Sequence, residues 1–266
     1  MGESKISWRE KSIDLETLLR LRTPPVAVKL LEDENFPPGT IRPSQMGIEI
    51  TICQAITAAR HMFQTIGMSA DDNACPPSMF PFGWAEIEDS NALIEFFKKA
   101  GHGASDDAIV EIISKLPTLE PGKYPALLIA PLRRCTFQPD VIMIFGNAAQ
   151  VGRLIFARTY LGGGALKAEM ISRAASCAEG IIRPFKSRDC AVTIPGGGDR
   201  VFASIDDDEL IFSFHVEWLD RIIEGLKNAG RGIGLRYPMP RFMMYKPVFP
   251  QEFQKLRSKM KIIKRK

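Results

Sequence analysis

The chain has 266 residues, 45% of them apolar and 25% charged. It is long enough to bury a substantial core, and its composition excludes disordered, collagen-like and disulfide-scaffold classes. The net charge of +4 is uneven: residues 255–266 hold seven Lys or Arg and no acid, leaving 28 basic against 31 acidic residues elsewhere, a net of −3.

In chain order, Asp14 caps a predicted helix over 14–22 that carries Leu15, Leu18 and Leu19 on one face, and Pro24 and Pro25 stop it. Residues 26–31 read as a strand, followed by a Pro- and Gly-rich loop over 35–47. Thr51 opens an amphipathic helix to about residue 66, with Gly67 as its left-handed cap. The three prolines of NACPPSMFPFG predict an irregular segment over 71–83. Helices follow over 90–101 and 105–116, then strands over 126–130 and 141–145. Gly146 and Asn147 turn the second of these strands into a helix to about 161. Another helix is expected over 165–178, then strands over 191–194, 200–205 and 210–214. A last helix over 216–228 places Val216, Leu219, Ile222, Ile223 and Leu226 inward. Strands and helices alternate without a βαβ rhythm, so the fold class is α+β. The expectation is one compact domain over 12–235 with a mixed or antiparallel sheet and flanking helices, followed by a proline/aromatic arm and basic tail over 236–266.

The longest uncharged stretch is thirteen residues, 73–85, and holds three prolines, well short of the about 20 apolar residues a spanning helix needs. MGESKISWREK has no apolar core of a secretory signal. With an odd number of scattered cysteines, Cys53, Cys75, Cys135, Cys177 and Cys190, a cytoplasmic location is expected, with free thiols or metal ligands rather than disulfides. The basic tail lacks aromatic interleaving and a nucleic-acid motif, which argues against nucleic acid. The Met- and aromatic-rich arm before it suggests packing on the domain or a second subunit, hence a homo-oligomer.

Conventional catalytic signatures are missing. His61, His102 and His215 fit no HExxH or deaminase pattern, and no GxSxG or GxxxxGK[ST] occurs. GRGIG (230–234) follows a helix, the wrong context for a dinucleotide fingerprint. The run 206–209, three Asp and a Glu, reads as solvated turn acids without chemistry, and Arg133 and Arg134 as side chains that hold a carboxylate or, the preferred reading, are simply solvated. GGGDR (196–200) offers backbone amides at Gly197 and Gly198 beside Arg200, an anion-binding concavity or an ordinary hairpin loop. Arg60, sharing a helix face with Cys53, is a second anion-binding candidate.

Several segments together resemble the DUF169 family: TPPVAVKLL (23–31), TICQAITAAR (51–60), ACPPSMFPFG (74–83), APLRRCTFQPDVIMIFGNAAQVGRL (130–154), SCAEG (176–180), VTIPGGGDR (192–200) and DDDEL (206–210). The resemblance implies a single α+β domain with recurring cysteines, found often in anaerobes and archaea. Cys53, Cys75 and Cys177 match family positions. Gly196 and Gly197 stand where the family often has a cysteine, Cys190 lies a few residues upstream, and Cys135 is not carried over.

Thiolates select zinc, cuprous copper and iron–sulfur clusters, whereas buried cysteine also serves as a small inert hydrophobe. Joined to the resemblance, the cysteines point to an iron–sulfur cluster, [4Fe-4S], held by Cys53, Cys75 and Cys177. Either Cys190 is the fourth ligand, or one iron is open as a Lewis acid. The expected function is a redox or Lewis-acid enzyme of anaerobic metabolism acting on a small organic acid or aromatic compound. The alternative is a non-catalytic protein that binds a small anion, metal or cofactor.

Overall fold

The computed structural model describes residues 7–87, 89–239 and 249–261. Six strands, β1 (Val26–Leu31), β2 (Ile66–Ser69), β3 (Ala126–Pro131), β4 (Val141–Gly146), β5 (Cys190–Thr193) and β6 (Leu210–His215), form one sheet in the order β2-β3-β1-β4-β6-β5. Every strand pair is antiparallel. β3, β4 and most of β1 are buried on both faces, which is why they read as continuous apolar runs rather than alternating ones. The fold is α+β, as expected.

Side-chain parity separates two cores. On one face, Val26, Val28, Val141, Met143, Phe145 and Ile211 pack under α2 (Ile52–Met62) and a π-helix (Ala175–Ile182). On the other, Ala27, Ile142, Ile144, Phe212 and Phe214 pack under α1 (Trp8–Leu19), α6 (Ala148–Gly162) and α9 (Leu219–Asn228). α6 and α9 cross at Gly225, where a Cβ would sit 2.4 Å from the Ala157 carbonyl oxygen, so only glycine allows that approach.

Five expectations are corrected. The first helix is not capped by Asp14: α1 starts at Trp8 with Ser7 as its N-cap, the Ser7 hydroxyl accepting the Glu10 N–H, and it ends at Leu19. The proline-rich segment contains a helix, α3 (Pro76–Phe82): Pro76 and Pro77 occupy its first turn, where an N–H has no helical acceptor to lose. α2 ends at Met62 with Phe63 left-handed at φ 56°, and Gly67 belongs to β2, not to a helix cap. No α-helix spans 165–178. The chain is irregular to Ala174, with Ser172 and Ala174 at φ 52° and 49°, and the π-helix then begins. Residues 200–205 are not a strand: α8 (Gly197–Ala203) starts at the glycine run, with the Asp199 carboxylate accepting the Gly196 N–H at 2.8 Å.

The shorter helices α4 (Ser90–Lys99), α5 (Asp106–Ser114) and α7 (Arg183–Ser187) complete the domain. Beyond it, Tyr237 of the arm accepts a hydrogen bond from Asn147 at 2.8 Å, and α10 (Gln251–Ser258) is exposed throughout. The middle of the arm (240–248) and the end of the basic tail (262–266) lie outside the described residues. No described helix is long and apolar enough to cross a membrane.

Candidate functional site

Cys53 and Cys177 pack on the face that carries α2 and the π-helix, and Cys75 lies in a loop bonded to the residue just before α2's N-cap. Cys53 lies in the first turn of α2, whose N-cap Thr51 bonds Gln54 reciprocally through both side chains. The Thr51 hydroxyl also contacts the Cys53 sulfur at 2.9 Å. Ile50, just before this cap, is tied to the loop that carries Cys75: its N–H donates to the Asp72 carbonyl at 2.9 Å and its carbonyl accepts from Ala74 at 3.0 Å. Buried Asn73 then clamps the Cys75 backbone, its amide donating to the Cys75 carbonyl at 3.1 Å and its oxygen accepting the Cys75 N–H at 3.3 Å. Beneath that loop, Asp72 is fully buried and receives bonds from Arg42, Ser44 and Ser69.

Cys177 comes from the π-helix, a geometry that recurs at functional sites. Two buried carboxylates fix that helix. Glu179 accepts from Thr193 at 2.6 Å and from the Ile171 N–H at 2.9 Å, and Asp199 accepts from the Ser176 hydroxyl. α8, which carries Asp199, is in turn fastened to α2 by the Thr57 hydroxyl on the Ala203 carbonyl at 2.7 Å. Gly196 is required at this junction because a Cβ there would meet the Ser172 carbonyl oxygen at 2.7 Å.

Burial pushes the Cys53 thiol up to about 11, with the charges of Asp199 and Cys75 adding to it and the Thr51 bond opposing. Cys177 is pushed well above its ordinary range by burial, then by Asp199, Cys53 and Cys75. Among the described residues no three His, Cys, Asp or Glu side chains stand at the spacing of single-ion ligands. Tetrahedral zinc would need sulfurs about 3.8 Å apart, given bonds of about 2.3 Å. A cubane sets its ligands wider, on separate irons. The donor type present, cysteine sulfur, is the soft one that thiolate-ligated centres use.

The other sequence candidates lie elsewhere. Cys190 faces the opposite side of the sheet, packed with Phe212 and Phe214, where burial and the Asp189 charge raise its thiol. It cannot meet Cys177 without leaving β5. Cys135 packs in that second core as well, its thiol on the Phe137 carbonyl at 3.1 Å.

Arg60 is 1% exposed and already committed: it donates to Glu209 at 2.5 Å and to the Thr23 hydroxyl at 3.1 Å, with its guanidinium over the Phe145 ring. Arg200 donates to the Asp206 carbonyl at 3.1 Å and to Asp207 at 2.8 Å. Of the 206–209 run, Asp206, Asp207 and Asp208 are exposed at a turn, as the sequence suggested, with Asp206 and Asp208 also holding Arg22, and Glu209 alone is buried. Arg133 is likewise paired, with Glu16. Gly197 and Gly198 are exposed in the first turn of α8 with open space around them. Asp199 and Ser176 escaped the sequence reading, although both lie inside segments it singled out.

Two clefts bear on access. One of about 520 Å³, lined by Ser44, Gly47, Ile48, Glu49, Asp71 and Ala74, opens beside the Cys75 loop. Another of about 930 Å³ lies between the start of α6 and the arm, away from the cysteines.

The raised thiols carry a pH consequence for the metal-free chain. Unfolded, Cys53 ionises near its ordinary 9.0, but folded only near 11. Above pH 9 the unfolded state therefore binds fewer protons than the native one, and stability falls as pH rises. The expected result is a urea midpoint for the metal-free protein that drops between pH 9 and 11, while a Cys53→Ala variant shows a shallower drop.

The chain matches the DUF169 family, described as "Uncharacterised ArCR", over residues 14–225, and it belongs to that family. An uncharacterized protein of the archaeon Methanocaldococcus jannaschii is 26% identical over 222 residues, covering 83% of this chain and 94% of the relative. No solved structure matches.

Proposed function

We propose that this chain is a cytoplasmic iron–sulfur protein of anaerobic metabolism. Cys53, Cys75 and Cys177 would hold a [4Fe-4S] cluster with one iron not ligated by cysteine. The observation that carries the reading is that Cys53 and Cys177 pack on one sheet face, with the Cys75 loop tied to the start of α2, while the fourth sequence candidate, Cys190, packs on the other. When bound, such a cluster supplies one-electron chemistry or, at an iron free of cysteine, a Lewis acid for a hydroxyl or carboxylate oxygen.

The protein's own residues define the rest. Thr51 and Asn73 hold Cys53 and the Cys75 backbone in place, and the Ser176 hydroxyl fixes Asp199 beside them. Val201 and Phe202, both exposed on α8, give an apolar rim suited to an aliphatic or aromatic group. Arg60 is spent on the buried Glu209 and Arg200 is paired with the exposed Asp207, so the positive charge for an organic acid would come from the iron itself. A homo-oligomer is part of the same reading, with the exposed Phe253, Leu256 and Met260 near the C-terminus as the apolar surface to be covered.

The test is anaerobic purification with an absorption spectrum and iron and sulfide analysis. The expected product is brown and holds iron and acid-labile sulfide in equal amounts. A colourless, iron-free protein under strict anoxia overturns the reading.

A further inference from the structure

Two arginines are buried among the described residues, Arg60 and Arg153. A guanidinium keeps its proton at any ordinary pH, so an arginine taken out of water is as a rule met by an acid. Arg60 has Glu209. Arg153, on α6 and 7% exposed, has no Asp or Glu within ion-pair distance among the described residues, and burial alone pulls its guanidinium below the ordinary range. Residues 240–248, which follow the described part of the arm, contain no acid.

The partners Arg153 does have are two carbonyls at the end of α9, Leu226 at 2.9 Å and Ala229 at 3.1 Å. These bonds fix the side chain and close that helix end, yet a helix C-terminus offers only about half a negative charge. They also use two of the five N–H groups of the guanidinium.

Arg153 forms part of the wall of the cleft of about 930 Å³ between α6 and the arm. That volume falls within the about 300–1,000 Å³ of small-ligand sites, which set a few placed polar groups in an apolar wall. Two further donors border the cleft: exposed Arg236, and Tyr237, whose hydroxyl accepts from Asn147 at 2.8 Å and keeps its own proton to give. The acids at its rim are already matched, Asp207 by Arg200 at 2.8 Å and Asp208 by Arg22. The N-terminus of α6 adds little, since the Asn147 side chain takes the Ala149 and Gln150 N–H groups. Phe156, Leu210, Leu235, Pro238 and Met239 supply the apolar wall.

We propose that this cleft binds a small organic acid, a monocarboxylate whose charge is met by Arg153, with Tyr237 and Arg236 as further donors. Its aliphatic or aromatic body lies against Phe156 and Met239. A carboxylate matches the planar fork of a guanidinium, whereas an inorganic anion would leave the apolar wall uncovered. The cleft lies away from the cysteines, so the proposal does not depend on the cluster reading.

The experiment is calorimetric titration of the full chain as wild type, Arg153→Gln and Gly152→Leu, with melting curves alongside. The probes are hexanoate and benzoate, their neutral counterparts 1-hexanol and benzyl alcohol, and inorganic phosphate. Gln keeps an N–H for the α9 carbonyls and removes the charge. Gly152 borders the same cleft and a Cβ there meets nothing within 4 Å, so leucine is accommodated on α6 and takes up cleft volume. The wild type is expected to bind one equivalent of hexanoate or benzoate, whichever body fits, and no phosphate. The matching alcohol should bind tenfold more weakly or worse, and Arg153→Gln should weaken the acid by a similar factor, as expected for a lost hydrogen bond to a charged group. Gly152→Leu should abolish binding without lowering the melting temperature, and with the alcohols it carries the test should Arg153→Gln not fold.

A wild type that binds neither acid overturns the proposal, as does a Gly152→Leu variant that binds like the wild type. An alcohol as tight as its acid, or undiminished affinity in a folded Arg153→Gln, overturns the role given to Arg153. Phosphate bound as tightly as the acids overturns the assignment to an organic acid. Acid binding by a chain that takes up no iron upholds this site while overturning the cluster reading, so the two failures are told apart.

Discussion

Alanine at Cys53, Cys75 or Cys177 is expected to abolish cluster retention, while alanine at Cys190 or Cys135 leaves iron and sulfide at the wild-type level. The contrast comes from the sheet. Cys190 and Val192 project from β5 into the core with Phe212 and Phe214, whereas Cys177 packs in the core on the other face. A sheet is opaque to ligation, because a thiol on one side cannot reach a metal on the other without breaking β5 from β6. Loss of an outer partner of a metal ligand costs about 10- to 100-fold in affinity, so loss of the ligand itself should exceed that range. Because thiol-to-alanine changes at buried sites also remove packing, each variant is to be melted alongside. The core-facing Cys190→Ala serves as the control, since it loses as much packing as Cys177→Ala and no ligand. Iron and sulfide analysis of the five anaerobic preparations checks the result. Loss of the cluster in Cys190→Ala with a melting curve like the wild type would sink the assignment of ligands.

Much of the scaffold was legible in the sequence because its signals are local. β1, β4 and β6 are largely apolar runs of strand length, and α9 buries Leu219, Ile222, Ile223 and Leu226 at helical spacing, with Val216 half-buried in the turn before it and Gly230 following. The misreadings occur where a side-chain bond to the backbone a few residues away outweighs the preference read from composition. Residues 165–178 have helical composition, but Glu179 captures the Ile171 N–H and the chain passes through two left-handed residues before the π-helix. The glycines of 196–198 suggested a hairpin, yet Asp199 bonds back to Gly196 and begins a helix instead.

At the site, residue type was legible and convergence was not. Cys53, Cys75 and Cys177 stand out as soft donors, but nothing within about twenty residues of any of them says that α2 and the π-helix share a sheet face. That follows from the order β2-β3-β1-β4-β6-β5, a property of the whole chain. Cys190 illustrates the same point from the other side, because its parity on β5 is readable but the side on which the π-helix lies is not. Arg60 did carry a readable signal. Ile52, Ala55, Ile56, Ala59 and Arg60 follow the spacing of one buried helical stripe, so an arginine at the last position predicts an internal partner rather than a ligand.

That internal partner sets the largest stability effect expected in this protein. Glu209→Ala should lower unfolding stability by roughly 3–5 kcal/mol, because it strands a buried guanidinium. Arg60 is 1% and Glu209 4% exposed, and one terminal nitrogen of Arg60 already lacks a hydrogen-bond partner. Burial pulls the Arg60 guanidinium below its ordinary range and the Glu209 charge opposes this, so without Glu209 only the Thr23 hydroxyl and the Phe145 ring face are left to stabilise the cation. The loss is a large fraction of a total of about 5–15 kcal/mol and corresponds to a drop in Tm of roughly 10 °C for a domain of this size. A buried ion pair is weak evidence for net stability even though breaking it is costly, so the double variant Arg60→Met with Glu209→Leu should recover most of the loss. Urea unfolding of the wild type, the single and the double variant checks both statements. A Glu209→Ala midpoint equal to the wild type would show that water reaches Arg60. In that case the guanidinium would be free for a ligand, as the sequence first suggested, and not locked into the clasp that joins α2 to β6.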